Sequence, residues 1–315
     1  MAQPSNSFDT YDAKGNREAL ADIIYNISPT DTPFLTMAAQ GKATATYEEW
    51  QTDELASAIT TNAVIEGDEA TLDASVATTR VGNYTQIADK TVVITGTQEV
   101  VNHAGRKSEL AYQIAKKGKE LKRDMESQLT SNTAQVAGNS TTARKSAGLG
   151  AWIATNDVLG TGSAASPTGN GTDARTDGTQ RALLESHLKT AVQNCWSEGG
   201  NPSSVMVGPF NKTVISGFTG NSTRMDKGED KKLFASIDVY ESDFGALQIQ
   251  PSRFSRERDV WVLDPEMWEV RYLRPFQQFE LSKTGDSEKR QLISEYVLVS
   301  RQEKASGMVA DCTTS

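Results

Sequence analysis

The clearest feature of the hydrophobic pattern is one long stretch with helical periodicity. Over residues 108–131, with Ser108 as the predicted N-cap, apolar or small residues recur at steps of three and four and form one face: Leu110, Ile114, Gly118, Leu121, Met125 and Leu129. Five bases occupy the other faces: Lys116, Lys117, Lys119, Lys122 and Arg123. The pattern predicts a long helix with a buried side and a basic exposed side, preceded by a shorter helical piece capped by Thr97.

Residues 42–95 predict a projecting hairpin. The runs 44–50 and 84–94 are rich in β-branched and aromatic residues and predict its two strands. The segment 56–79 between them consists mainly of Ala, Thr, Ser and Asp, and has too few apolar side chains to bury itself. We therefore expect an arm that reaches outward from the body.

Before the hairpin, the sequence predicts an N-terminal arm. Residues 17–27 have the spacing of an amphipathic helix, which Pro29 ends. In the stretch 30–35, Pro33 favours an extended arm, tied down by Phe34 and Leu35, over a compact helix. An arm of this kind needs another surface to pack on.

The second half of the chain predicts a mixed α/β unit followed by another hairpin. Residues 132–180 are rich in Gly, Ser, Thr, Asn and Asp and predict loops. Helices are then predicted at 180–196 and 211–218, and strands at 204–207, near 237–241, and at 246–250 and 261–263. The runs 276–282 and 291–301, joined by turn residues, predict a C-terminal hairpin with a buried second strand. The fold class is α+β.

The composition excludes several classes of protein. The chain has 315 residues, of which 37% are hydrophobic and 23% charged, enough for a real core in one or two domains. A formal charge of −9 opposes general binding to nucleic acid or to an anionic membrane. The sequence has no long apolar run and no secretory signal, so we expect no membrane segment and synthesis in a cytosol. Cys195 and Cys312 have no metal or disulfide spacing and are expected to be reduced thiols.

The sequence also offers little for catalysis. It contains no phosphate-binding loop, dinucleotide fingerprint, zinc-protease motif or EF-hand, and neither His103 nor His187 lies in a nucleophile motif. Residues 173–178 partly match a calcium loop but are interpreted as a solvated turn. The carboxylate pairs at 48–49 and 68–69 are interpreted as solvated surface of the hairpin. We predict no catalytic, cofactor-binding or metal site.

Charge is divided unevenly between the hairpin and the long helix. Residues 42–95 hold nine acids and three bases, whereas residues 106–126 hold seven bases and four acids. Two solvated surfaces would account for this, but an arm that cannot bury itself and a complementary helix favour docking between subunits. The predicted contact residues are Glu48, Glu49, Asp53, Glu54, Glu66, Asp68 and Glu69 on the hairpin, and Lys116, Lys117, Lys119, Lys122 and Arg123 on the helix.

The order of these parts resembles the major capsid proteins of tailed bacteriophages with the Hong-Kong-97-type fold. Four local phrases carry the resemblance further: Ser28-Pro-Thr-Asp-Thr-Pro-Phe-Leu, Gln86-Ile-Ala-Asp-Lys, Gly208-Pro-Phe-Asn-Lys and Tyr272-Leu-Arg-Pro-Phe. The likeness spans nearly the whole chain. These phrases are structural, and none of them is a catalytic signature.

The resemblance implies an N-terminal arm (1–41), an extended loop (42–95), a peripheral domain with a spine helix (96–145), an axial domain (146–264), and peripheral return strands with the C-terminus (265–315). It further implies pentamers and hexamers in an icosahedral shell around double-stranded DNA, assembled in the host cytoplasm together with a portal and other head proteins. DNA would be enclosed without sequence-specific binding. The alternatives are a tail-tube or decoration protein and, from another class, a small hydrolase built on residues 180–264.

Overall fold

The computed structural model describes residues 31–69, 72–101, 105–218 and 238–315. Its helices are α1 (Pro33–Met37), α2 (Gly96–Val100), α3 (Glu109–Leu129), α4 (Glu185–Ser197) and α5 (Pro209–Ser216). Its strands are β1 (Ala39–Lys42), β2 (Tyr47–Thr52), β3 (Thr79–Tyr84), β4 (Gln86–Thr95), β5 (Asp157–Val158), β6 (Ser204–Val207), β7 (Val239–Ser242), β8 (Gly245–Pro251), β9 (Val260–Leu263), β10 (Trp268–Leu281), β11 (Ser287–Ser300) and β12 (Gly307–Val309). The predicted helix at 17–27, His103 and the start of the predicted strand near 237–241 lie outside the described residues.

The long helix and the C-terminal hairpin are confirmed. The Ser108 side chain caps α3 by accepting a hydrogen bond from the amide of Ala111, and Leu121, Met125 and Leu129 are buried. β10 and β11 pair in an antiparallel hairpin of 14 residues each, longer than predicted. Together with β1 and β4 they form a four-stranded sheet of order β1-β10-β11-β4, on which α3 packs.

The projecting hairpin has a different return strand from the one predicted. β2 pairs with β3 from Tyr47↔Tyr84 to Thr52↔Thr79, whereas most of the predicted return run 84–94 is β4, which pairs with β11. The break falls beside the buried side chain of Asn83, which donates to the carbonyl of Leu298 at 2.7 Å and accepts from the amide of Ala147 at 2.9 Å. These bonds fix the chain to the body, and beyond them it joins another sheet.

The α/β unit is confirmed, with two differences. Its six-stranded sheet has the order β5-β12-β9-β6-β8-β7, with α4 and α5 packed on it. α4 begins at Glu185, not at residue 180, because Arg181 is held extended by backbone bonds to Asp311 and Thr313. β12 lies between β5 and β9, so the segment 265–315 supplies strands to both sheets.

The stretch predicted as an extended arm contains a short helix, α1, in which Pro33 occupies the first turn. Proline is tolerated there because the first amides of a helix have no partner within the helix. The fully buried carboxylate of Glu126, on α3, accepts from the amides of Phe34 at 2.8 Å and Leu35 at 2.9 Å. The residue that caps α1 lies 92 positions away in the sequence, so the local sequence around α1 could not reveal it.

Replacing Glu126 with Gln is expected to lower the free energy of unfolding by about 1–3 kcal/mol, because the amide has one acceptor oxygen and leaves one buried backbone donor unpaired. Burial raises the pKa of Glu126 in spite of the two backbone hydrogen bonds that favour its ionised form. The measurement is urea denaturation together with hydrogen exchange at Phe34 and Leu35. Glu120→Gln, on the same helix but outside the cap, serves as control, and an equal loss in both variants would contradict the capping role.

Candidate functional site

The base of the hairpin is tied to the body of its own subunit. Trp50 packs on Trp152 with ring centres 5.4 Å apart. Glu48 forms an ion pair with Arg271 of β10 at 2.9 Å, and its side chain is only 11% exposed. The interpretation of Glu48 as solvated surface is therefore wrong, because the β2–β3 hairpin lies against β10 at this point.

Beyond this base, the acids of the hairpin differ in their surroundings. Glu49 pairs with Arg80 across the hairpin at 3.0 Å, and Glu54 pairs with Lys304 at 2.7 Å. Asp53, Glu66, Asp68 and Glu69 are exposed. The structure thus brings two of the predicted contact residues, Glu48 and Glu54, onto the body of the same chain and leaves the outer acids facing solvent.

The outer part of the hairpin exposes apolar side chains that the body does not cover. Six of them are between 68% and 98% exposed: Leu55, Ile59, Val64, Ile65, Leu72 and Val76. At the end of the hairpin the amide of Asp68 donates to the carbonyl of Ile65 at 3.1 Å, and Gly67 has a φ of 83°, as a tight turn requires. Exposed apolar surface of this extent is typical of surfaces that contact another protein.

The five predicted bases of α3 also divide into two groups. Lys117 pairs with Glu120 at 2.7 Å, and this hydrogen bond holds the pKa of Glu120 below its usual value. Arg123 lies over the ring of Phe254, and Lys122 lies over the ring of Phe276. Lys116 and Lys119 project from the exposed side of the helix. They are therefore the cations of α3 that are most open to a partner.

Within one subunit the acids of the hairpin are not paired with the bases of α3 among the described residues, although Lys90 of β4 pairs with Asp124 of α3. Across the described ranges, no ion pair joins the hairpin acids to the bases of α3. The charges on the outer hairpin and on Lys116 and Lys119 therefore face solvent within the subunit.

A buried ion cluster was missed by the sequence analysis. Arg175 is fully buried and lies 2.8 Å from Asp259 and 3.2 Å from both Asp177 and Asp311. Arg256 pairs with Asp177 and Asp259, and Arg258 pairs with Asp177 and Asp311. The interpretation of residues 173–178 as a solvated turn is therefore wrong for Asp177, because long-range arginines surround it. No local motif announces such a cluster, since its members lie up to 136 positions apart.

The cluster is balanced, with three arginines and three aspartates, and it joins the 157–181 loops to β9 and the residues after β12. A hydrogen bond from Arg256 holds the pKa of Asp177 below its usual value. Burial opposes ionisation of Asp311, but the charge and hydrogen bond of Arg175, together with hydrogen bonds from the amides of Gly160 and Gly178, outweigh it and lower the pKa of that carboxyl. Burial raises the pKa of Asp259, against the charges of Arg175 and Arg256. The arrangement is structural, because each carboxylate already has arginine partners.

Among the described residues, the remaining reactive side chains form no catalytic constellation. His187 Nδ1 accepts from the backbone of Leu184 at the start of α4, and burial lowers the pKa of its imidazole. Cys195 and Cys312 are free and buried in the core of the α/β unit. In the parts of the chain that the structure covers, no group of His, Cys, Asp and Glu is placed to hold a metal ion. No described helix is long and apolar enough to span a bilayer.

Comparison with known proteins decides the family. The family model of the SU10 major capsid protein matches residues 4–313, nearly the whole chain. The chain belongs to the SU10 major capsid protein family. It is a structural protein of the phage virion that forms capsid shells, and it is not an enzyme. The resemblance found in the sequence is confirmed, and the alternatives of a tail-tube protein, a decoration protein and a hydrolase fall away.

Individual relatives agree with this assignment. The major capsid protein of Escherichia phage Phieco32 is 27% identical over an alignment that covers 98% of this chain and 97% of that protein. A chain of the cyanophage A-1(L) capsid asymmetric unit superposes with a TM-score of 0.68 at 13% identity, covering 98% of this chain and 99% of that one. A structure from Mycobacterium phage Adephagia gives 0.61 at 10% identity, with coverages of 98% and 99%. The capsid protein therefore has the Hong-Kong-97-type fold, as the order of its parts predicted.

Proposed function

We propose that this capsid protein assembles through pentamers and hexamers into an icosahedral shell, and that the acidic hairpin of one subunit lies over helix α3 of its neighbour. The observation that carries this proposal is the outer hairpin, where exposed apolar side chains stand beside exposed acids and no described residue of the same subunit covers them. A ring needs a contact between two different surfaces of the same protein, because only such a contact can repeat around an axis. An acidic arm and a basic helix meet that requirement.

The two larger sheets support a division of the chain into the domains of this capsid fold. Residues 42–95 act as the extended loop, and residues 1–41 as the N-terminal arm. Residues 96–145 and 265–315 form the peripheral domain around α3 and the β10–β11 hairpin. Residues 146–264 form the axial domain around the six-stranded sheet, to which the C-terminal segment contributes β12. In the peripheral domain, α3 on its sheet gives a stiff base on which the neighbouring hairpin can rest.

The proposed shell encloses double-stranded DNA, is assembled in the host cytoplasm, and joins a portal and other head proteins. The net charge of −9 supports a wall that does not bind the packaged DNA tightly, since a negative surface repels phosphate. Contacts to DNA are accordingly without sequence specificity.

The charge contact is tested by reversing two exposed bases of α3. Lys116→Glu/Lys119→Glu is expected to lower the yield of closed shells roughly tenfold while the subunit stays folded, because attraction to the neighbouring hairpin becomes repulsion. Electron microscopy measures shells, and light scattering measures the mass of unassembled protein. Lys145→Glu/Lys189→Glu makes the same charge change at exposed positions elsewhere and should assemble normally. Equal yields from both variants would remove the proposed contact.

A further inference from the structure

The turn at the end of the hairpin combines two apolar side chains with a set of acids. Val64 and Ile65 are 85% and 78% exposed. Glu66, Asp68 and Glu69 follow them directly, and all three are exposed. An occupant of this composition fits a site that offers an apolar surface with positive charge at its rim.

A groove of about 440 Å³ with that character lies between α1, α3 and β10. Leu35, Tyr272, Pro275 and Phe276 line its apolar part, and the rings of Tyr272 and Phe276 are 6.2 Å apart. Of the groove-lining side chains that the structure describes, Lys122 alone is charged, and its Nζ lies 5.7 Å from the centre of the Phe276 ring. The groove therefore has one basic edge and no acid to repel an acidic turn.

The local sequence of β10 explains why this groove is open. The pairing with β11 is irregular between Tyr272 and Arg274 and again between Arg274 and Gln277. Pro275 lies in this interval and cannot donate to the ladder, which is a common cause of such an interruption. Phe276 is left 41% exposed, so an apolar ring stands at the surface with space beside it.

A stripe of lysines leads along α3 to the groove. Lys116, Lys119 and Lys122 are spaced by three residues and are all exposed, so they follow one side of the helix over roughly 9 Å. Lys122, at the C-terminal end of this stripe, lines the groove. Acids that approach the groove from this direction meet positive charge before they reach the apolar surface.

We propose that residues 64–69 of one subunit seat in this groove of a second copy, with Val64 and Ile65 against the Tyr272 and Phe276 rings and the acids beside the lysine stripe. The inference rests on the proposed contact between hairpin and helix, and it names the place where that contact ends. From Thr52 to Val64 an extended chain spans up to roughly 40 Å, which is enough to cross onto a neighbouring subunit.

The seating is tested by a covalent trap in the full-length protein. Val64→Cys/Phe276→Cys shells, oxidised mildly with copper phenanthroline, are expected to give a ladder of covalent multimers on a denaturing gel. The native thiols do not compete, because burial raises the pKa of both Cys195 and Cys312 to about 12. Val76→Cys/Phe276→Cys places the first thiol on an equally exposed part of the hairpin outside the turn, and should give no ladder.

Shells that form normally but link no better than this control overturn the groove and leave the hairpin–helix contact standing, since that contact has its own test at Lys116 and Lys119. A charge exchange covers the case in which the cysteine pair fails to assemble. Lys122→Glu is expected to lower the shell yield roughly fivefold, and adding Glu66→Lys should restore it. If Glu66→Lys does not restore the shell yield of Lys122→Glu, the proposed seating is contradicted as strongly as by the absence of covalent multimers.

Discussion

Replacing residues 53–78 with Asn-Gly is expected to yield a folded subunit that forms no closed shells. The two residues join Thr52 to Thr79, which are paired across the hairpin, and Asn-Gly suits a two-residue turn between such strands. The deletion removes the exposed apolar side chains and the outer acids together, so the neighbour loses the whole contact and not a single charge. Electron microscopy of the purified protein should show no polyhedral particles, with light scattering reporting small species.

The deletion also removes Glu54 and with it the ion pair to Lys304. Glu54→Gln alone is the matched control and should assemble, because one exposed pair contributes little to stability. An unchanged melting temperature in the deletion variant separates loss of assembly from loss of folding. Normal shells from the deletion would show that the hairpin is dispensable and would remove the basis of the proposed assembly.

Replacing Arg175 with Met is expected to cost about 3–5 kcal/mol of the free energy of unfolding, the largest effect of any single substitution proposed for this chain. Arg175 is fully buried between Asp259 and Asp311, so its loss leaves carboxylates without their nearest positive charge. Chemical denaturation followed by tryptophan fluorescence measures the loss.

Two further variants make this result specific. Arg256→Met, at a position that is 25% exposed, should cost less, because water can reach the carboxylates that it leaves. Arg175→Met/Asp259→Asn should recover part of the loss, since it removes one of the orphaned charges. An Arg175→Met variant as stable as the natural protein would mean that the ion cluster contributes nothing to the stability of the α/β unit.

The sequence predicts well those elements whose signal is local. α3 has an N-cap residue and a one-sided apolar pattern within 21 helical residues, and the β10–β11 hairpin has two strand-like runs joined by turn residues. The acidic hairpin was recognised because residues 56–79 cannot bury themselves. Such features depend on neighbours in the chain and need no knowledge of the fold.

The missed features all depend on distant partners. α1 forms where Glu126 caps it, and β3 and β4 separate where Asn83 is bonded to the body. Asp177 is ion-paired with arginines far along the chain. Local propensity alone predicts an extended arm in place of α1, one strand in place of β3 and β4, and a solvated turn around Asp177. The charges of the candidate surface follow from the sequence. Glu48 and Glu54, however, form ion pairs with Arg271 and Lys304 of the same subunit, and the sequence pattern does not reveal these pairs.

The position of β12 has a consequence for the order in which the subunit matures on the ribosome. β12 fills a slot between β5 and β9, although it is made after every other described strand. Asp311, which completes the ion cluster, emerges just behind it. A nascent chain that has finished β9 therefore still holds an open sheet and unbalanced arginines. A chain that stops before β12 can therefore neither complete the six-stranded sheet nor neutralise that cluster.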